Sequence, residues 1–389
     1  MSKKVFEILQ PGMLTTVQDL GRFGYQRLGV PAAGAMDQFA IKMGNRLLLN
    51  DDKVAALEAT FMGPSIKVIS NVVIAITGGN LGPTLNGKDL PMWQSISLKE
   101  GDTISFEGPR GGIRTYICVA GGIDVPQIMG SRSTYLRSNI GGHLGRQLQQ
   151  GDILSSNDPN KEVVKGRKIS PDIVPSYGGN IILRVVLGPQ DGEFTEDGIN
   201  TFLNSEYAVT PQMDRMGIRL EGPEIKHREK ADIISDGIMF GSIQIPGNGN
   251  PIIMMADRQT TGGYTKIATI ISIDIPKIAQ AQPGDKIQFD KITIKDAQNL
   301  VREFEDTIQN AIIDSPIEIP STEVVSTSAP DKDPLEELVV DEGVIVADHM
   351  GRRYIITEKD GVYHIPINKK GSPKIFRITS SGTSYQVEI

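Results

Sequence analysis

Short runs of β-branched and other apolar residues, each stopped by Gly, Pro or Asp, recur along almost the whole of this sequence. They are SIKVISNVVIAITGG, DTISFEGP, RTYICVAGG, NIILRVVLGP, NPIIMMADR, TIISIDIP and DKIQFD. Runs of this length suit strands and are too short for stable helices, and the residues that stop them are turn formers. The chain is therefore expected to be mainly β. Helical spacing is confined to two stretches. Residues 36–50 place Met36, Phe39, Ala40, Met43 and Leu47 on one face, and residues 294–312 do the same with Ala297, Leu300, Val301, Phe304 and Ile308. Each predicts a helix packed over strands.

Two halves of the chain echo one another. TTVQDLGRFGYQRLGVP near the start is matched by VTPQMDRMGIRLEGP at 209–223, and Thr77-Gly78-Gly79 followed by GDTISF by Thr261-Gly262-Gly263 followed by GDKIQF. Three echoes in one order imply a duplicated β-rich domain, with halves at 1–175 and 176–312. GDxIxF itself is a tight turn entering an alternating strand, a structural motif. Residues 313–338 are Ser/Thr/Pro-rich, acidic and without sustained period, which reads as a linker. Residues 339–389 alternate apolar and polar around Asp360-Gly361 and Ser381-Gly382, which predicts a small β-rich C-terminal module.

Composition narrows the function. At 389 residues the chain is long enough for two or three domains of roughly 150 residues and a sizeable core. A net charge of −7 argues against general binding to a nucleic-acid backbone. One cysteine, Cys118, and four histidines leave almost no material for a disulfide or a Cys/His zinc site. The N-terminus lacks the apolar core of a secretory signal, and no run of about 18 uncharged apolar residues occurs. The expectation is a cytoplasmic protein with no membrane partner.

Several motifs have plainer readings than chemistry. Gly82 to Lys88, GPTLNGK, begins like a phosphate-binding loop, but Asp89 stands where a hydroxyl is needed and Asn86-Gly87 is a hairpin turn. No GxSxG is present, and no GxGxxG follows a strand. Cys118 lies in an apolar run and reads as core; His143 lies among glycines and reads as a turn residue.

The densest set of hydrogen-bonding side chains among glycines is GSIQIPGNGNPIIMMADRQTTGGYTK, residues 241–266. After strand-like PIIMMA it brings a carboxylate, a guanidinium, an amide and a phenol beside two glycines that free the backbone to approach a ligand. Strand alternation would put Asp257 and Gln259 on one face and Arg258 on the other. Two further concentrations are residues 15–37 and residues 130–148, the latter carrying Arg132, Arg137 and Arg146. Arginine forks bind planar carboxylates, so these segments suit an anionic small molecule or, equally, a set of solvated turns.

Six ordered stretches carry a family resemblance: TVQDLGRFGYQRLGVPAAGAMD, VAGGIDVPQIMGSRSTYLR, LGPQDGEF, DRMGIRLEGP, SDGIMFGSIQIPGNGNPI and ADRQTTGGYTKIAT. Almost the whole of 5–300 resembles the KipA family, the allophanate hydrolase subunit 2-like proteins or 5-oxoprolinase C subunits, a biotin-dependent carboxyltransferase-like group. Met213 before Asp214 departs from the small polar residue expected there. The resemblance implies tandem cyclophilin-like β-barrel domains, in keeping with the echoes.

It also implies one subunit of an ATP-dependent complex that opens 5-oxoproline to glutamate, acting with a KipI-like partner and a lactam-hydrolase-like partner on an amide or lactam. No cofactor is expected to be covalently bound; ATP would act in the complex, and biotin, if used, would arrive on a partner carrier because no biotinyl-lysine motif is present. Two alternatives stand beside this: a regulatory protein that antagonises a KipI-like kinase inhibitor, and a carboxyltransferase subunit of the urea carboxylase or allophanate hydrolase type. Moving a carboxyl group to nitrogen needs donors for a developing oxyanion and a dry, positioned site. On that chemistry Asp257, Arg258, Gln259 and Tyr264 are the catalytic candidates. Arg215, Gln244, Thr260, Gly262, Gly263, Arg22 and Asp19 are the substrate-binding candidates, and no metal ligands are expected.

Overall fold

The computed structural model describes residues 2–159, 166–309 and 311–313, and five strands between 344 and 388. Met1–Glu318 forms one compact unit and Ile319–Ile389 another. The expected linker lies outside the described residues apart from Ile313.

The first half of the larger unit has two sheets. One runs Ile153–Ser156, Lys3–Gln10, Ser65–Val68, Thr103–Phe106, Pro83–Leu85, Lys88–Asp89; the other runs Leu14–Gln18, Ala56–Thr60, Gly111–Val119, Val72–Asn80, Ser95–Leu98. Their facing side chains share a core, with Phe6, Ile8, Ile66 and Ile104 from one sheet against Leu57, Ile74, Ile76 and Ile117 from the other. Gly111–Val119 is buried on both faces, because helix Gln38–Leu47 covers the far side of its sheet. Phe39, Ala40, Met43 and Leu47 of that helix pack with Ala75, Tyr116 and Cys118. Asp37 caps the helix by accepting from the Ala40 N–H at 2.9 Å. Burial of each such side chain contributes about 1.5–3 kcal/mol. The second helix expected from spacing is Ile294–Gln309.

The second half closes into a seven-stranded barrel in the order Asn180–Leu187, Lys266–Ile270, Ser242–Gln244, Ile252–Met254, Gly217–Glu221, Tyr207–Met213, Lys286–Lys291. Parallel pairing of the last strand with the first closes it, with Ile181 opposite Ile287 and Leu183 opposite Phe289. Leu183, Val185, Ile218, Ile243, Ile253 and Ile287 fill the interior. Asp232–Gly237 and Thr261–Tyr264 form a separate two-stranded ribbon.

The GDxIxF echo follows turn chemistry in both halves. Gly101 and Gly284 have φ of +94° and +95°, and strands Thr103–Phe106 and Lys286–Lys291 follow. The TGG echo differs in setting: Thr77–Gly79 lies inside a nine-residue strand, Thr261–Gly263 in the ribbon. Asn86 and Gly87 both have positive φ and join two antiparallel strands, as a hairpin requires. TIISIDIP is a strand only to Ile270; a 3-10 turn at Ser272–Asp274 and helix Ile275–Ala279, with Pro276 in its first turn, take over. Helix Glu196–Asn204, absent from the sequence reading, is capped by Thr195. In the smaller unit, Val344–His349, Arg352–Lys359 and Val362–His364 form one antiparallel sheet, and Ile375–Ser380 pairs with Thr383–Glu388. The Asp360-Gly361 and Ser381-Gly382 turns lie outside the described residues.

Candidate active site

A cleft of about 450 Å³ lies against the outer face of the barrel, where outward-facing residues of three strands, Arg219, Gln244, Ile252 and Met254, meet Arg137 from a loop of the first half. Arg137 comes from the 3-10 turn Leu136–Ser138; the opposing wall carries Asp214, Arg219, Gln244, Gln259 and Tyr264. Gln244 ends barrel strand Ser242–Gln244, just before Pro246. Gln259 follows the end of Ile252–Met254, and Tyr264 ends the ribbon strand.

Gln244 is the most informative of these residues. It is 2% exposed, and among the described residues its Nε2 has no hydrogen-bond partner. An unsatisfied buried donor costs about 1–3 kcal/mol, and its place behind the cleft wall makes Gln244 a candidate for function. Gly262 makes the arrangement fit. A Cβ there would lie 2.9 Å from Gln244 Nε2 and 3.4 Å from Gln259 Nε2, so both amide nitrogens crowd over a residue with no side chain. With the 40%-exposed Tyr264 they make a wall of neutral donors.

Asp257, Arg258 and Arg215 lie behind this wall. Because the strand stops at Met254, the alternation expected through Asp257–Gln259 does not apply, and Asp257 and Arg258 are both buried. Arg258 donates through Nε to Ile238 O (3.1 Å) and through Nη1 to Met255 O (3.2 Å), and sits 5.4 Å over the Phe240 ring. Burial lowers its pKa to about 10. It braces the loop from inside instead of offering donors to the cleft. Arg215, expected as an anion clamp, forks onto Asp257 with Nε and Nη2 each 3.0 Å from a carboxylate oxygen, donates to Gly34 O at 2.6 Å, and meets Glu58 through Nη1. Burial opposes its charge, but Asp257 and Glu58 outweigh burial and hold its pKa above the ordinary value.

The network extends through the first half. Glu58 Oε2 accepts from Tyr116 Oη (2.7 Å) and from the Met36 N–H (2.8 Å). The Asp37 N–H donates to Tyr116 Oη at 2.8 Å, and Asp37 Oδ2 accepts from Tyr177 and Gln280, both at 2.9 Å. Burial raises the Asp37 pKa. The sequence reading missed Glu58, Tyr116, Asp37 and Gln280. Glu58 left a signal: a carboxylate inside the apolar strand Ala56–Thr60 must have a buried partner.

Asp19 and Arg22 do not line the cleft; they tie two loops together. Asp19 Oδ1 accepts from Ser131 Oγ and the Gly21 N–H, both at 2.7 Å, and Oδ2 from the Arg132 N–H at 2.6 Å. Arg22, fully buried, donates to Ser133 O, and burial lowers its pKa. Thr260 accepts at its carbonyl from the Ile238 N–H, and Gly263 lies in the ribbon. Cys118 is buried and free, with its thiol pKa pushed up by burial; His143 lies in a turn with Nε2 3.3 Å from Asp152. Among the described residues no cluster of three or more His, Cys, Asp or Glu could hold a metal ion.

A barrel and a two-sheet half are thus joined by one buried polar network, with a donor-lined cleft where they meet. The family model for "carboxyltransferase domain, subdomain A and B" matches residues 28–291, and the chain belongs to that family. It is 35% identical over 293 residues to the 5-oxoprolinase C subunit of Escherichia coli, covering 75% of this chain and 93% of that one. It is 33% identical over 377 residues to urea amidolyase of Saccharomyces cerevisiae, covering 90% of this chain but 20% of that protein. The crystal structure of the K. lactis urea amidolyase superposes with a TM-score of 0.75 at 29% identity, over 91% of this chain and 22% of that one.

Proposed function

We propose that this chain is the carboxyltransferase-like subunit of an ATP-dependent 5-oxoprolinase complex in the cytoplasm. It would act with a KipI-like subunit and a lactam-hydrolase-like subunit to open 5-oxoproline to glutamate. The observation that carries the reading is the buried, unpartnered Gln244 amide nitrogen beside Gln259 and Tyr264 in the cleft. A lactam carbonyl is the acceptor such donors lack, and its oxygen gains negative charge when the carbonyl carbon is attacked. Donors already in place for that charge stabilise the transition state, each being worth about 10²–10³ in rate. Arg215 and Asp257 act behind them, holding the loop that presents Gln259. The likeness to two 5-oxoprolinase C subunits, of which the chain covers 93% and 96%, supports this substrate.

The test is 5-oxoproline-dependent ATP hydrolysis by the reconstituted three-subunit complex. Its absence with every subunit folded and assembled would reject the proposal.

The match to urea amidolyase favours a second reading, biotin-dependent carboxylation of urea. The same donors suit the ureido oxygen of a biotin brought by a carrier protein, which would supply a transferable carboxyl group. Avidin separates the two readings, since it abolishes a biotin-dependent reaction and leaves a biotin-independent lactamase unaffected.

A further inference from the structure

We infer that Arg137 and Arg219 form a carboxylate clamp in the cleft, selecting an anionic lactam over a neutral amide; this rests on the lactam reading above.

The structure separates the arginines of the 130–148 segment. Arg132 donates through Nε to Val125 O at 3.0 Å. Arg146 forks onto Asp152 at 2.7 and 2.8 Å. Arg137 alone of the three lines the cleft, and among the described residues the carboxylate oxygen nearest its guanidinium, on Asp214, is 4.0 Å away. Arg219 comes from the opposite wall. It is the exposed middle residue of strand Gly217–Glu221, whose neighbours Ile218 and Leu220 face the barrel core. Among the described residues it has no ion pair.

The charge balance is local. The chain as a whole is acidic, with a net charge of −7, yet this cleft presents two guanidiniums and, among its described lining residues, one carboxylate. That carboxylate is partly occupied: Asp214 Oδ1 accepts from the N–H groups of Met216 (2.7 Å) and Gly217 (3.1 Å). A ligand that satisfies the cleft therefore offers a neutral acceptor oxygen to Gln244 and a carboxylate to the arginines. 5-Oxoproline carries both groups. Urea carries only the first, so the guanidiniums determine specificity without touching the reacting carbonyl.

The experiment compares wild type, R137A, R219A, R219K and the double alanine variant of the full chain. Each is assayed in the reconstituted complex with 5-oxoproline and with 2-pyrrolidinone, the same lactam without its carboxylate. Hydrogen bonds to charged groups set the expected size: each alanine variant raises KM for 5-oxoproline about 10- to 100-fold with kcat nearly unchanged. R219K recovers part of the loss, and 2-pyrrolidinone turnover does not respond. An unchanged KM in the double variant, or equal losses on both lactams, overturns the clamp.

Calorimetric titration of the chain alone with the two lactams keeps the two proposals apart. Arg219-dependent binding of 5-oxoproline by a chain whose complex does not hydrolyse ATP would preserve the clamp and reject the 5-oxoprolinase reading. Binding that ignores the carboxylate would reject the clamp whatever the complex does.

Discussion

Arg215 holds Asp257 with two parallel 3.0 Å hydrogen bonds while its remaining terminal nitrogen reaches Glu58 in the other half of the molecule. One guanidinium thus fixes the loop carrying Gln259 to strand Ala56–Thr60. All three side chains are buried, so each carboxylate depends on the arginine to offset its desolvation. Removing the arginine leaves two buried carboxylates uncompensated, and Arg215→Ala is expected to cost about 3–5 kcal/mol in urea unfolding. Replacing Glu58, Arg215 and Asp257 together by apolar residues of similar volume should recover stability but not turnover. Recovery of both would show that the network has no part in presenting the cleft.

Gly262→Ala tests the crowding over the ribbon. The new Cβ would meet Ile238 Cδ1 at 2.6 Å and Gln244 Nε2 at 2.9 Å, both far ends of flexible side chains. The fold should survive while Gln244 is displaced. With a donor moved out of line, kcat is expected to fall about 10²-fold, with the thermal melting curve little changed. Wild-type kcat in the alanine variant would dissociate Gln244 from the chemistry.

Acid stability should depend on Asp274. This buried carboxylate receives Arg184 Nε (2.8 Å), Arg184 Nη2 (2.7 Å) and the Arg184 N–H (2.9 Å), with Lys277 at 2.9 Å. Burial alone would raise its pKa, but Arg184 and Lys277 outweigh burial and lower it below the ordinary carboxylate range. A folded-state pKa below the unfolded one gives stability that is complete above the ordinary carboxylate pKa and lost as pH falls through the lowered value. Asp274→Asn should therefore be less stable than wild type near neutrality and lose less on acidification. Parallel unfolding curves for the two proteins between pH 7 and pH 3 would contradict this.

The strands were legible where one face meets water. Lys286–Lys291 shows buried residues at alternate positions, as DKIQFD predicted, and Asn86-Gly87 makes the hairpin its residue types require. TIISIDIP misled because its later apolar residues pack as a short helix, with only Asp274 and Pro276 to mark the change. Helix Glu196–Asn204 was missed because Gly198 and Asn200 weaken its propensity, although Thr195 followed by Glu196 and Asp197 is a helix start. At the site, donor density among glycines located residues 241–266. It could not tell which donors face the cleft, since that depends on the strand ending at Met254 and on Glu58, far earlier in the chain, drawing Arg215 inward.

Gln244 offers the sharpest separation of stability from function. In the free chain its buried Nε2 is unpaired, so replacing the amide by an apolar side chain of similar size removes a penalty and breaks no hydrogen bond of that nitrogen. Gln244→Met should leave unfolding stability unchanged or raise it by about 1 kcal/mol, while removing the donor that meets the substrate oxygen lowers kcat about 10²- to 10³-fold. Residues kept for function at a cost in stability behave in this way. A variant that loses stability and activity together would instead identify Gln244 as a structural residue of the barrel wall, and the lactam-carbonyl assignment would fall with it.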